Sequence, residues 1–264
     1  MDGSRVILAA HRGDRAAYPE NTMSAFLSSL EFGCDMIETD IRETKDGVLV
    51  LIHDRSTLRT SGVDKNVDEL TLAELSEIDV GATHHSGIKE RVPTVKELME
   101  LIRDSEMTVN WEIKIYPTEF GDEATFRVVD KLVAMIEEYG LEGRSMLNTF
   151  SDRTLEYVKE KYGSRFPIHG QGIAKCKRTK DEPEIPREKI YDWCCLYPNE
   201  RGTEKNALDY PENFAYCAEQ GIIPCICIKD ELESYRYALE LGCKMFTTND
   251  IRACDKILRE LGVR

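Results

Sequence analysis

The sequence predicts a (β/α)8 TIM barrel with a small inserted cap after the second strand. Short apolar runs alternate with amphipathic helical stretches from one end of the chain to the other, the pattern of parallel βα units. Eight such runs are strand-like, the number that a barrel needs. The length of 264 residues also suits one barrel, which takes about 250.

In chain order, strands are expected at 6–10, 36–41, 108–115, 145–149, 167–170, 193–197, 222–228 and 244–247. Helices are expected between and after them, at 23–31, 95–103, 123–139, 152–161, 207–220, 231–241 and 251–261. Thr94 followed by Glu97 reads as a capping box, and Ser151 stands before a helical run. Gly140, Gly221, Gly242 and Gly262 sit where a glycine ends a helix. Two stretches break the alternation. Extended runs flank Asp46-Gly47, a strong signal for a two-residue type I′ hairpin. Residues 55–92 are polar and irregular and read as the inserted cap, before Pro93-Thr94 restarts regular structure. No repeat or linker is visible, so residues 1–264 are expected to form one domain with that insertion.

Composition narrows the function. A net charge of −14 disfavours nucleic acid and anionic membrane surfaces as partners. A phosphate ligand is then acceptable only if the site supplies its own cations. Nine cysteines, mostly within apolar runs, suggest reduced core residues rather than a disulfide framework. Cys225 and Cys227 with Cys194 and Cys195 could be drawn as a zinc site, but they lack finger-like spacing. The apolar run before His11 is too short for a signal segment, and no run of 18 apolar residues occurs, so a cytoplasmic protein is expected.

Barrel enzymes place their chemistry at the C-terminal ends of strands. There the first run ends in His11-Arg12-Gly13, the second carries Glu38 and Asp40, and the third carries Glu112 and Lys114. Members of each pair are two residues apart and so face the same side of a strand. A two-residue turn would pair Lys45 with Val48 and Glu43 with Val50, setting His53 opposite Asp40. Three converging carboxylates repel one another unless a proton or cation intervenes; two charges 4 Å apart cost about 4 kcal/mol at an effective dielectric of 20. Oxygen-only ligands favour Mg2+, Ca2+ or Mn2+ over zinc. Such an ion, with Arg12 and Lys114, would make the pocket locally positive.

The plainer readings are a solvated strand glutamate, a structural histidine, and salt bridges of Arg12 to Glu20 and Lys114 to Glu112. His84, His85 and His169 read as loop or solvated-face residues. Against these, His11, Glu38, Asp40, His53 and Glu112 all fall at predicted strand ends.

The segment AHRGDRAAYPENTMSAF, then IETDIRETKDGVLVLIHD and later EIK, resembles the glycerophosphodiester phosphodiesterase family. Weaker similarity continues through Arg91 to Thr94, Asn148 to Ser151 and the stretch from Gly242 to Asp250. The resemblance implies a TIM barrel with a cap and one divalent metal ion, Mg2+ or Ca2+, on Glu38, Asp40 and Glu112. It implies acid–base work by His11 and His53 and phosphate contacts from Arg12 and Lys114. The implied reaction releases sn-glycerol 3-phosphate and an alcohol from a small glycerophosphodiester, through a cyclic phosphate formed by the substrate's own glycerol hydroxyl. A lysophospholipase D-like or sphingomyelinase D-like activity on lipid, and a non-catalytic phosphodiester-binding barrel, are the alternatives. Two departures stand out. Ile226-Cys227-Ile228-Lys229 replaces an aromatic-led W-T-V-N stretch, and Thr247-Thr248-Asn249-Asp250 replaces T-D-x-P. On this reading Ile226 faces the substrate without an aromatic surface for a choline group.

Overall fold

The computed structural model of the chain describes residues 3–227 and 230–264. Its strands are β1 (Ile7–His11), β2 (Met36–Glu43), β3 (Leu49–Leu51), β4 (Thr108–Ile113), β5 (Ser145–Asn148), β6 (Ile168–Gln171), β7 (Trp193–Cys195), β8 (Ile223–Ile226) and β9 (Met245–Thr248). All but β3 run parallel, and the β1–β2 and β1–β9 pairings close them into an eight-stranded barrel. The last residue expected in the strand at 222–228 lies outside the described residues.

Side-chain alternation divides the core in two. Ile7, Ala9, Met36, Met146, Trp193, Cys195, Cys225 and Met245 fill the barrel interior. Leu8, Ala10, Ile37, Trp111, Ile168, Cys194, Ile226 and Phe246 face the helices. Strands buried on both faces read as continuous apolar runs, which is why they stand out in the sequence. Helix ends follow the expected chemistry. Thr94 and Glu97 form the capping box before Val95–Ile102, and the Ser151 hydroxyl accepts from Thr154 N. Gly140, Gly221, Gly242 and Gly262 all have positive φ.

Two expectations need correction. The helix at 207–220 is divided: a 3-10 turn, Ala207–Asp209, precedes the helix Pro211–Gln220. Pro211 lacks an N–H to continue the turn but suits the first position of a new helix. The hairpin register is also shifted by one residue, with Glu43 opposite Leu49 and Arg42 opposite Val50. The loop holds three residues, closed by Thr44 N donating to Val48 O at 2.9 Å, and only Gly47 among them has positive φ, 80°. A type I′ turn needs positive φ at both central residues, whereas a type I turn followed by a left-handed glycine does not. Asp46 accepts from the Thr44 hydroxyl at 2.6 Å and from Leu72 N at 3.0 Å, which holds the longer loop.

Residues 55–92 contain two short helices, Leu58–Ser61 and Leu72–Ser76, and a 3-10 turn, Val67–Glu69. Val67, Leu75, Val80 and Val92 pack with Val50 and Ile52 in a cluster separate from the barrel core. Arg59 ties this segment to the barrel through Glu20 and Asp54.

Candidate active site

At the C-terminal mouth of the barrel lies a cavity of about 250 Å³. His11, Arg12, Glu38, His53, Glu112 and Lys114 line it together with Asn148, Phe150, Gln171 and Tyr197. Strand register assembles the set: His11 pairs with Glu38, Asp40 with Glu112, and Glu112 with Asn148. The turn after β1 is held in unusual backbone geometry. Arg12 and Asn21 are two of the three non-glycine residues with positive φ among those described, at 62° and 54°. Glycine is required at position 13, where φ is 78° and a Cβ would come within 2.8 Å of Ala25. This turn brings Arg12 N within 3.2 Å of a Glu38 carboxylate oxygen and lets Asn21 Nδ2 donate to Asp40 at 2.8 Å.

Glu38, Asp40 and Glu112 are buried, with carboxylate oxygens within 4.8 Å of one another. Glu38 Oε1 has no hydrogen-bond partner, and Asp40 Oδ1 has only the Lys114 ammonium beside it, at 3.2 Å. A bare buried oxygen within a cluster of carboxylates fits a hard divalent cation better than it fits a closed polar core. Burial drives the Glu38 carboxyl well above its ordinary value, and Asp40 and Glu112 add to the shift. Burial also acts to raise Asp40, but Lys114 and Arg12 outweigh it and hold that carboxyl low. Lys114 Nζ lies 3.2 Å from Asp40 Oδ1 and donates to Glu112; Arg12 Nε lies 3.2 Å from Asp40 Oδ2. The plain salt bridges that the sequence allowed, Arg12 to Glu20 and Lys114 to Glu112, are therefore both present. They fix the two cationic heads at the cavity wall.

Each histidine is oriented by a carbonyl or carboxylate oxygen at Nδ1. His11 Nδ1 meets Asn249 Oδ1 at 2.6 Å, and His53 Nδ1 meets Asp54 Oδ1 at 2.6 Å. With Nδ1–H donating, Nε2 is the free, basic nitrogen in both rings. The Nε2 of His11 lies 3.8 Å from Glu38. Burial, helped by Arg12, pushes His11 down to about 4; burial and then Lys114 push His53 down as well. His53 reaches the mouth despite the shifted hairpin because β3 ends at Leu51. Ile52 N donates to Asp40 O at 2.9 Å, and Arg42 Nε holds the His53 carbonyl at 2.9 Å.

Three features differ from the sequence reading. Ile226 is fully buried against the helices, so it neither faces the cavity nor replaces a substrate-facing aromatic. Phe150 and Tyr197 supply the aromatic cavity wall instead, and Cys227 lines the opening. His169 lies on β6 and is buried, not in a solvated loop. The orienting residues Asn21, Asp54 and Asn249 were missed. Only Asp54, adjacent to His53, carried a local signal.

Glu20 accepts ion pairs from Arg12, Arg15 and Arg59. Against the upward push of burial, these lower its carboxyl to about 2. A depressed carboxylate contributes stability above its unfolded value of about 4.5, which is lost as pH falls towards 2. Glu20→Gln is expected to destabilise the protein by about 3 kcal/mol at pH 7 and by less than half of that at about pH 3. Urea unfolding at the two pH values checks this; an equal loss at both would remove ionisation from the account.

The model of the Glycerophosphoryl diester phosphodiesterase family matches residues 11–194. The chain belongs to this family. A glycerophosphodiester phosphodiesterase of Caldanaerobacter subterraneus subsp. tengcongensis is 38% identical over 161 residues, covering 59% of this chain and 63% of its own. One from Bacillus altitudinis is 34% identical over 151 residues, covering 55% of this chain and 58% of its own. The match thus spans less than two thirds of these relatives. Among solved structures, glycerophosphodiester phosphodiesterase from Agrobacterium tumefaciens superposes with a TM-score of 0.73 at 19% identity, covering 95% of this chain and 99% of its own. A phosphodiesterase of Oleispira antarctica, solved with the product sn-glycerol-3-phosphate, superposes at 0.72 with 17% identity, covering 96% of each chain. At these identities the structures establish a shared fold; membership of the glycerophosphoryl diester phosphodiesterase family rests on the sequence match.

Proposed function

We propose that this chain hydrolyses glycerophosphodiesters to sn-glycerol 3-phosphate and an alcohol, with dependence on Mg2+ or Ca2+. The observation that carries the reading is that Glu38 and Glu112, two oriented histidines and two fixed cationic side chains line one cavity, with the buried Asp40 carboxylate within 4.8 Å of the other two. Family membership supports the reaction class. The Oleispira neighbour, whose product complex contains sn-glycerol-3-phosphate, supports the substrate class.

Glu38, Asp40 and Glu112 would hold the cation, which supplies charge neutralisation and polarisation of the phosphoryl group. Three ionised carboxylates against Arg12 and Lys114 leave one net negative charge, so a divalent cation makes the pocket attractive to an anion. Arg12 and Lys114 then bind and orient the phosphodiester through donors beyond those used by carboxylates. One histidine takes the proton of the attacking hydroxyl at Nε2, and the other gives a proton to the departing alcohol. The donor must be charged in the complex. Contact with the phosphodiester anion raises the value of whichever imidazole it meets. We assign the first attack to the substrate's glycerol hydroxyl, which forms a cyclic phosphate that water then opens.

Residues 55–92 are assigned as the cap of a single domain, since Arg59 anchors them to Glu20 and Asp54 beside the mouth. No described helix is long and apolar enough to cross a membrane, which fits a small diester better than a bilayer lipid. Nine unpaired cysteines fit the reducing cytoplasm. Assay of glycerophosphocholine, glycerophosphoethanolamine and glycerophosphoglycerol with several divalent cations tests the reading. Turnover of lysophospholipids alone would redirect it to the lipid alternative, and binding without turnover would reduce it to a sensor.

A further inference from the structure

We propose that His169, Cys195 and Cys225 form a binding site for a soft divalent cation of the zinc class, inside the barrel, bordering the same cavity as the carboxylate cluster but with a different ligand set. Their ligand atoms lie within 4.8 Å of one another, and all three residues are buried. The barrel geometry creates the cluster. Cys195 on β7 pairs directly with Cys225 on β8, and β6 brings His169 alongside, in register with Trp193. The neighbouring cysteines that look equivalent in sequence are not: Cys194 faces the helices, whereas Cys195 and Cys225 face the interior.

The donor set distinguishes the two sites. Thiolate and imidazole suit Zn2+, whereas the oxygen-only set suits Mg2+ or Ca2+. Tetrahedral zinc with bonds of about 2.0–2.3 Å places its ligand atoms about 3.6–3.8 Å apart. His169 Nε2 and Cys225 Sγ are 3.1 Å apart and need open by only about half an ångström. Binding releases the two thiol protons to solvent.

A second observation concerns Asn110. Its side-chain amide meets His169 Nδ1 at 2.9 Å, while its Oδ1 is buried without a partner. Amide nitrogen and oxygen are interchangeable by a half-turn of the group. With Oδ1 turned to the ring, it accepts from Nδ1–H and leaves the Nε2 lone pair facing the two thiols. A histidine whose other nitrogen donates to a carbonyl is the usual arrangement of a metal ligand. The cavity touches His169, Cys195 and Cys227, so a fourth position is open to Cys227 or to water. Cys227 lies two residues beyond Cys225 and so falls on the same face.

The test uses the full chain, reduced and stripped of metal, titrated with Co2+. One equivalent should produce an intense near-ultraviolet thiolate-to-cobalt charge-transfer band, which one equivalent of Zn2+ then removes. Cys195→Ser and Cys225→Ser should each lose the band and bind Zn2+ more weakly by at least roughly a hundredfold, because even an outer-shell partner costs about 10–100-fold. Asn110→Ala, altering a positioning residue, should weaken binding by about 10–100-fold while keeping the band. Glu38→Gln should leave the band unchanged. No band in the wild type, a band that persists in the cysteine variants, or one lost in folded Glu38→Gln would each overturn the site. The readout is independent of the proposed hydrolysis, so the two can fail separately.

Discussion

Metal-stripped protein in excess EDTA is expected to show no diester hydrolysis, and Mg2+ or Ca2+ is expected to restore it. Without a cation the pocket presents a partnerless Glu38 oxygen and a Glu38 carboxyl driven towards its neutral form. It then attracts a phosphodiester anion poorly. Asp40→Ala should likewise abolish turnover, because it removes a cation ligand and releases both Arg12 and Lys114 from their positions. Removing one member of a buried charge cluster also costs stability, commonly about 3–5 kcal/mol. EDTA on the unaltered protein is therefore the cleaner test. Full activity in EDTA, with elemental analysis confirming that the protein is metal-free, would exclude metal dependence.

Loss of either histidine should be nearly as severe. His11→Ala and His53→Ala are each expected to lose on the order of 10² to 10⁴ in kcat, the range for a missing general acid or base. Unperturbed imidazoles near 6.5 would put the acid limb of a bell-shaped profile at that pH. Both rings here are pushed lower, His11 to about 4. A depressed value means that the basic form persists to lower pH. With the cation saturating, the acid limb of kcat/KM should fall below about pH 6.5. A variant with near-wild-type kcat would make its histidine structural, and a wild-type limb at or above that pH would show that the pocket does not depress the base.

Much of the barrel was legible because its strands are buried on both faces and its helices end in recognisable caps and glycines. Thr94, Ser151 and Gly221 are examples. The carboxylates and His11 were legible because C-terminal strand ends are where a barrel opens. What was not legible depended on contacts distant in sequence or on loop geometry. Asn249 meets His11 across 238 positions, and no local pattern announces it. Gly47 in a left-handed conformation can close either a two-residue or a three-residue loop, and the Asp46 contacts with Thr44 and Leu72 decide between them. Ile226 was misplaced by one position of alternation, since Cys225 and Cys227 take the inward face. His169 was misread because a lone polar residue in a short run gives no sign of which barrel layer it will occupy.

The most direct test of the central claim is enzymatic detection of sn-glycerol 3-phosphate after incubating the purified chain with glycerophosphocholine and Mg2+ or Ca2+. Product accumulation with cation, none in EDTA, and accumulation at least about a hundredfold slower from His11→Ala is the expected result. Release of phosphocholine instead of sn-glycerol 3-phosphate, or no product from any glycerophosphodiester with any divalent cation, would contradict it.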